Sequence, residues 1–287
     1  MKPLRGTTVA DLSRYLPGPY ASRELLRLGA RVVKIEPPEG DPARHASPGP
    51  YEVLNRGKEI VTWDARSEAQ PSVLLEADVV LEGFRPGVWE RLGVTLPATA
   101  ILCSITGFGA EGPRAQQAGH DLNYLGYAGA LADTAPALPP VQAADLAAGA
   151  QAAVIEILAA LLERGRTGQG ARVVLSMTHG SHRLVAHRLA GEAVPRLLTG
   201  GAACYRIYET GDGRYLTVAA LEPKFWRRLC ELLDRPDLAD RAFEPSLPEL
   251  EALFRSRPLD ALLDLLEREE TCVGPVLTLT EAAAELA

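Results

Sequence analysis

The sequence predicts an α/β fold: a large domain built on a parallel sheet, followed by a smaller α+β domain. Short apolar runs alternate with helical patterns from residue 7 to residue 196, which is typical of β-α-β units. After residue 197 the β-α-β pattern gives way to alternating strands that are joined by an Asp-Gly turn, which is typical of a β-hairpin. With 287 residues, the chain exceeds one average domain. We expect a large domain at 1–196 and a small domain at 197–271, with 272–287 as a candidate return to the large domain.

The first unit of the pattern is a strand, a helix and a second strand. Thr7–Leu12 is apolar and alternating, and Pro17-Gly18-Pro19 forms a turn that leads into a helix over 20–28. Gly29 ends that helix before the strand 30–36. Such a short crossover favours parallel strands. The turn lacks a G-x-G-x-x-G fingerprint, so the pattern predicts topology and not dinucleotide binding.

The remainder of the large domain repeats this alternation after a loop rich in proline and glycine at 37–50. Apolar runs predict further strands at 60–63, 77–82, 101–105 and 172–177. Between the last two lies a long alanine-rich segment, 141–162, which we expect to be a buried helix of a soluble protein, because polar residues interrupt it. A helix is expected from Thr178 onward.

The small domain opens with alternating strands at 204–208 and 215–220, joined through an Asp-Gly turn at 210–214. A helix to Leu233 follows Glu222-Pro223, and leucines at helical spacing predict two short helices within 247–270. A short strand at 271–277 and a final acidic, alanine-rich helix complete the chain.

Composition restricts the class of protein. The hydrophobic content of 47% with 23% charged residues is that of a globular chain, and the net charge of -7 disfavours nucleic acid or an anionic membrane as the main partner. We expect no membrane segment. The four cysteines are widely spaced in apolar surroundings without a C-x-x-C pair, so we interpret them as reduced core residues of a cytoplasmic protein: Cys103, Cys204, Cys230 and Cys272.

The densest group of polar side chains is Gly119–Tyr124, which contains His120 and Asp121 and follows the glycine-rich segment 106–113. A histidine and an aspartate at this point favour proton transfer. The alternative is a helix start, since Asp and Asn favour N-caps. Four cations follow predicted strands, and they either hold a polyphosphate or are solvated loop charges: Lys34, Arg56, Lys58 and Arg85.

Two further carboxylates stand at helix starts, Asp145 and Glu222. Each is either a cap or a functional group at a pocket. Three histidines, His179, His182 and His187, occupy the helix after residue 178, but without the H-E-x-x-H pattern. We interpret them as a polar helix face and expect no metal.

Motifs along nearly the whole chain resemble the family III CoA-transferases (the CaiB/BaiF superfamily), and within them the alpha-methylacyl-CoA racemase branch. The matching segments are 17–21, 28–36, 55–58, 82–87, 106–109, 119–124, Asp145 with its helix, 212–215, 222–223 and 272–276. They occur in the family's order, which makes the match specific.

This resemblance implies a Rossmann-like large domain that binds CoA, a small domain, and an interlocked homodimer with the active site between a large and a small domain. In the transferase branch, the aspartate matching Asp145 forms a covalent aspartyl-CoA. In the racemase branch it is an acid/base that faces a histidine and a glutamate matching His120 and Glu222. The chain has all three residues, which favours a racemase.

The expected reaction is inversion of the carbon next to a thioester, with His120 and Asp145 on opposite faces and Glu222 fixing the histidine. Backbone amides at the start of the Asp145 helix would stabilise the enolate. Proton transfer of this kind needs no metal or redox cofactor, and CoA is part of the substrate. The predicted CoA contacts are Lys34, Arg56, Lys58, Arg85, Asp121 and Tyr124. A CoA-transferase and a non-catalytic CoA-binding protein remain as alternatives.

Overall fold

The computed structural model describes residues 1–191 and 193–286. The chain divides into two compact units, Met1–Leu189 and Ala190–Ala287. The division therefore falls a few residues before the boundary expected at 196/197.

A parallel sheet of six strands, counted over the described residues, forms the centre of the first unit. The strand order is β3-β2-β1-β4-β5-β6, the order of a doubly wound nucleotide-binding fold. The direction of winding reverses between β1 and β4, which are hydrogen-bonded neighbours. The strands are β1 (Thr8–Asp11), β2 (Arg31–Glu36), β3 (Glu59–Thr62), β4 (Val79–Glu82), β5 (Ile101–Thr106) and β6 (Ala171–Ser176).

The central strands are buried and mostly apolar because helices cover both faces of the sheet. Every residue of β4 and β5 is buried. On one face Leu25 and Ile157 pack with Val79 and Ile101. Trp63 and Trp89 belong to the core cluster on the opposite face.

The helices of the first unit are α1 (Pro17–Arg27), α2 (Ala43–Ala46), α3 (Pro48–Asn55), α4 (Ser72–Glu76), α5 (Val88–Leu92), α6 (Asp121–Tyr127), a π-helix (Ala144–Gln151), α7 (Ala152–Thr167) and α8 (Met177–Val185). A 3₁₀ turn, Ala186–Ala190, follows α8. The segment 37–50, predicted as a loop, contains α2 and the start of α3, which begins at a proline in the first turn.

The predicted helix over 141–162 differs from expectation in three respects. It begins as a π-helix and continues as α7 to Thr167. It is buried on one side only, since Ala153 and Ile157 are inside whereas Ile155 and Leu162 are 65% and 69% exposed. The continuous helix Ala144–Thr167 is also long and apolar enough to cross a membrane, by length and composition alone. Within its most apolar window, 28% of the residues are buried inside the structure.

The second unit contains an antiparallel sheet in the order β7-β8-β9, with β7 (Tyr205–Glu209), β8 (Tyr215–Ala219) and β9 (Val273–Pro275). The hairpin predicted through the Asp-Gly turn is confirmed by the pairing of β7 with β8. β9 pairs with β8, so this strand belongs to the sheet of the second unit. The predicted return of 272–287 to the large domain stays a prediction. Helices of this unit are α9 (Pro223–Leu232), α10 (Pro248–Arg255), α11 (Leu259–Leu266) and α12 (Leu279–Glu285), with 3₁₀ turns at Leu197–Thr199 and Pro236–Leu238.

The cysteines follow the prediction in three of four cases. Cys103, Cys204 and Cys230 are buried free thiols. Cys272 is a free thiol that is exposed, so its interpretation as a core residue was wrong. Its backbone lies in the left-handed region, at a φ of 52°, where β9 begins.

Candidate active site

A cavity of about 1090 Å³ lies in the first unit, beyond the carboxyl ends of the sheet strands. Its wall includes residues that follow β1, such as Ser13, and residues that follow β4, such as Arg85. These are the two strands between which the winding reverses, and ligands of doubly wound sheets bind at that position. His120, Tyr124 and Asp145 line the same cavity.

His120 is the residue directly before α6, and its backbone is extended, with φ -130° and ψ 176°. Its carbonyl accepts the amide of Asn123 at 2.8 Å, and its own amide donates to Oδ1 of Asn123 at 3.1 Å. The backbone of His120 therefore forms the helix start that was the alternative prediction. Its exposed imidazole nevertheless lines the cavity, so the two predictions describe different parts of one residue.

Asp145 lies in the first turn of the π-helix and is half-buried. Burial, and after it the charge of Asp121, raise the pKa of its carboxyl from 3.8 to about 7. A carboxyl that titrates near pH 7 both gives and accepts protons under ordinary conditions. Asp145 is thus suited to acid/base work at the cavity wall.

The start of the Asp145 helix does not offer the amides that the sequence suggested for an enolate. The amide of Asp145 donates to Oδ1 of Asp121 at 2.9 Å. The amide of Leu146 donates to the carbonyl of Gln142 at 2.8 Å. Both donors are already used, so the expectation was wrong for these two residues.

The side chain of Tyr124 is packed into the cavity wall. Its hydroxyl donates to the carbonyl of Gly119, and its ring meets Phe108 edge-on with centroids 5.2 Å apart. A Cβ at Gly107 would lie 2.5 Å from this ring, which explains the glycine there. The predicted contacts of Tyr124 and Asp121 with CoA remain predictions.

Two of the four predicted cations are buried inside the fold and do not form an exposed rim. Lys34 is fully buried, lies 3.0 Å from a carboxylate oxygen of Asp41 and donates to the carbonyl of Ser13 at 2.9 Å. Lys58 is held by an ion pair with Asp11 at 3.3 Å and by a hydrogen bond to Ser22 Oγ at 2.7 Å. Their ammonium groups are thus bound by protein atoms, and the predicted polyphosphate rim was wrong for both lysines.

These lysines belong to a buried polar network that the sequence reasoning missed. Asp11 at the end of β1 accepts hydrogen bonds from the hydroxyls of Ser13 and Ser22. Burial alone would raise the pKa of Asp11, but the charges of Lys58 and Lys34 hold it below its ordinary value. The sequence did contain a signal for this network, because Asp11 ends an apolar strand. A buried charge there requires a partner.

The exposed cations at the cavity are arginines. Arg85 lines it as predicted, together with Arg14 and Arg66, which the sequence analysis did not select. All three are exposed, and within the described part of the chain their guanidinium groups have no ion-pair partner. Arg56 is exposed beside Glu52 at 3.6 Å and is not among the lining residues.

Glu222 belongs to the second unit, at the residue before α9. Its carbonyl accepts the amides of Phe225 and Trp226, whereas its exposed side chain makes no capping hydrogen bond. The side chain is therefore not used as a cap. Its predicted partnership with His120 remains a prediction.

The histidines of α8 have protein partners. Nδ1 of His179 lies 2.7 Å from Ser176 Oγ, and Nδ1 of His182 lies 3.1 Å from the carbonyl of Ala128. Over residues 1–191 and 193–286 there is no group of three or more His, Cys, Asp or Glu side chains able to hold a metal ion.

Fold and cavity together define an α/β protein with a ligand crevice at the switch point of a doubly wound sheet and acid/base side chains on its wall. The chain belongs to CoA-transferase family III, whose family model matches residues 4–286. This confirms the family that the sequence motifs indicated.

Relatives of two activities are similar to this chain. Alpha-methylacyl-CoA racemase of Homo sapiens is 31% identical over 309 residues, covering 97% of this chain and 78% of the human protein. Acetyl-CoA:oxalate CoA-transferase of Acetobacter aceti is 31% identical over 327 residues, covering 98% and 82%. A crystal structure of a CAIB/BAIF family protein from Brucella suis superposes with a TM-score of 0.82 at 31% identity, covering 98% and 86%.

Proposed function

We propose that the protein is a racemase of 2-methylacyl-CoA thioesters that moves a proton at the carbon next to the thioester. The observation that carries this proposal is the cavity shared by His120 and Asp145, with burial raising the pKa of Asp145 to about 7. A transferase would instead use Asp145 as a nucleophile, which must be ionised. A carboxyl that holds its proton up to neutral pH is better suited to proton transfer.

In the proposed mechanism, one of the two side chains removes the α-proton and the other returns a proton to the opposite face. The electron pair of the broken C–H bond moves into the thioester carbonyl, forming an enolate. Reprotonation of the carbon restores the thioester with either configuration. Glu222 of the second unit would hold the imidazole of His120 in the required tautomer. The reaction is an isomerisation by proton transfer and consumes no metal, redox cofactor or second substrate.

The enolate oxygen requires hydrogen-bond donors. Since the amides of Asp145 and Leu146 are used within the protein, we assign this task to amides on the His120 side of the cavity. Asp121 and Leu122 open α6 directly after His120, and the first amides of a helix have no intrahelical acceptor.

We assign the phosphates of CoA to Arg14, Arg66 and Arg85, because these exposed guanidinium groups line the cavity. Replacing any one with glutamine should weaken CoA binding and reduce its dependence on salt. Arg56→Gln is the matched control, because Arg56 is exposed but does not line the cavity. Equal loss in all four variants would contradict the assignment.

We infer that the protein acts as a homodimer. Large apolar side chains are exposed on α7, at Ile155 and Leu162, and on and after α8, at Leu184 and Leu189. Association would remove these apolar side chains from water. Light scattering after size exclusion would measure the mass, and a monomer of 30.7 kDa at micromolar concentration would oppose the inference. A cytoplasmic location is also a proposal, supported by three buried free thiols.

The decisive experiment incubates one epimer of a 2-methylacyl-CoA in D₂O. The expected result is deuterium at C2 together with loss of stereochemical purity. Asp145→Asn should abolish both while retaining CoA binding. If the substrate keeps its hydrogen and its configuration, the racemase proposal fails.

A CoA-transferase is the second candidate, favoured by the transferase relatives and by the position of Asp145 in the cavity. After mixing with an acyl-CoA, hydroxylamine trapping or a mass increase on Asp145 would support it. Binding of CoA with neither exchange nor transfer would indicate the non-catalytic alternative.

A further inference from the structure

Asp121 is the sequence neighbour of one proposed proton carrier and is hydrogen-bonded to the other. It directly follows His120 and opens α6, while its Oδ1 accepts the amide of Asp145 at 2.9 Å. Asp145 is separated from it by 24 positions, so this is a contact between two different helix starts.

The contact brings two acidic groups together. A carboxylate that accepts a residue's own amide lies on the order of 5 Å from the side chain of that residue. Two carboxylates at such a distance resist simultaneous ionisation. Burial raises the pKa of Asp145, and the charge of Asp121 raises it in the same direction.

We propose that Asp121 is a positioning residue for Asp145: its carboxylate fixes the backbone where Asp145 enters the π-helix and places a second acidic group beside that side chain. This inference rests on the proposed function, because it assigns Asp145 a role in proton transfer.

Burial is the larger cause of the raised pKa of Asp145, and the charge of Asp121 is the second. Tyr124 and Arg85 line the same cavity. Burial raises the pKa of the Tyr124 hydroxyl, the charges of Asp145 and Asp121 raise it as well, and the charge of Arg85 lowers it. His120 faces it from the cavity wall. The remaining ionisable side chains on the elements packed against the π-helix are Tyr20, Arg23, Glu24 and Arg27 of α1, Cys103 of β5, Tyr127 of α6, Glu156, Glu163, Arg164 and Arg166 of α7, Arg172 of β6, and His179, His182 and Arg183 of α8.

Two variants separate the charge of Asp121 from its hydrogen bond. Asp121→Asn keeps an oxygen that accepts the Asp145 amide but removes the charge. Asp121→Ala removes both. Glu59→Gln is the control, since it deletes an exposed carboxylate paired with Arg31 on an outer strand of the sheet.

The test is an NMR titration of the side-chain carboxyl carbon of Asp145, labelled through ¹³C-aspartate and assigned by its loss in Asp145→Asn. We expect the midpoint to fall by about one pH unit in Asp121→Asn and to stay unchanged in Glu59→Gln. Exchange of the Asp145 amide with D₂O should accelerate at least tenfold in Asp121→Ala and much less in Asp121→Asn. An unmoved midpoint in Asp121→Asn, or equal amide exchange in both variants, overturns the proposal.

The kinetic readout distinguishes positioning from a general structural effect. In Asp121→Asn the acid limb of the α-proton exchange profile should move to lower pH together with the NMR midpoint. A structural effect would lower the rate at every pH without moving the limb. The NMR titration needs no activity, so a failed racemase proposal and a failed Asp121 proposal give different results.

Discussion

The ammonium group of Lys58 lies 3.3 Å from a carboxylate oxygen of Asp11, and neither side chain is exposed to solvent. Lys58 also donates to Asn55 Oδ1 at 2.8 Å and to the carbonyl of Pro19 at 2.9 Å. One lysine therefore joins β1 to α1 and α3. This contact stabilises the floor beneath the cavity without requiring a ligand.

Replacing Lys58 with methionine should destabilise the protein by about 3 to 5 kcal/mol, because it leaves the buried charge of Asp11 without its partner. Urea unfolding followed by circular dichroism measures the change. The matched control is Arg31→Met, which breaks the exposed ion pair with Glu59 at 2.6 Å and should cost about 1 kcal/mol or less. Similar losses in the two variants would show that Lys58 is not a structural cation.

Replacing His120 with alanine should lower α-proton exchange on the order of a hundredfold to ten-thousandfold, because one of two acid/base groups is lost. Folding should be retained, since the contacts of His120 at the start of α6 are made by its backbone. Deuterium incorporation at C2 measures the rate. His179→Ala is the control, because this histidine contacts Ser176 and is not among the cavity-lining residues. Undiminished exchange in His120→Ala would remove it from the mechanism.

The raised pKa of Asp145 predicts how stability depends on pH. The folded protein holds a proton on this carboxyl up to about pH 7, whereas an unfolded aspartate releases it near 3.8. The folded state therefore binds more protons between these values, and the contribution of Asp145 to stability falls as the pH rises through this window.

Asp145→Asn removes that penalty. At pH 8 we expect the free energy of unfolding of the variant to exceed that of the natural protein by about 1 to 3 kcal/mol. This is less than full burial would give, because the carboxyl is partly solvated. At pH 3.5 the two proteins should differ little. Urea unfolding at several pH values measures the two curves. Parallel curves from pH 4 to pH 8 would contradict a raised pKa.

Gly18 should tolerate no side chain. A Cβ at this position would lie 2.0 Å from Oγ of Ser13, whose hydroxyl donates to Asp11. Gly18→Ala must displace Ser13 and should cost about 1 to 3 kcal/mol. Gly49→Ala is the matched control within α3, since a Cβ there meets nothing within 4 Å. Thermal unfolding compares the two, and a neutral Gly18→Ala would show that the loop adapts.

The strands of the large sheet were predictable to within a residue or two because buried parallel strands are continuous apolar runs. The hairpin over 205–219 was predictable because Asp-Gly selects a tight turn. His120 and Asp145 share a cavity as the motifs required, but the local pattern alone left each of them as a helix-start residue.

What sequence reasoning missed depends on distant contacts. Lysines are usually exposed, so nothing near Lys34 or Lys58 indicated that each is buried beside a carboxylate contributed by another segment. The π-helix has the same composition as an α-helix, and the exposure of Cys272 depends on how the strand β9 begins. Arg14 and Arg66 join the cavity only because the ends of parallel strands meet at one edge.

His120 and Asp145 both lie on the single connection that leads from β5 to its parallel neighbour β6. Residues 128–143 between them belong to no helix or strand. Insertions or deletions there would change the spacing of the two proton carriers while leaving every pairing of the sheet intact. The spacing of His120 and Asp145 and the pairing of the sheet strands are thus set by separable parts of the chain.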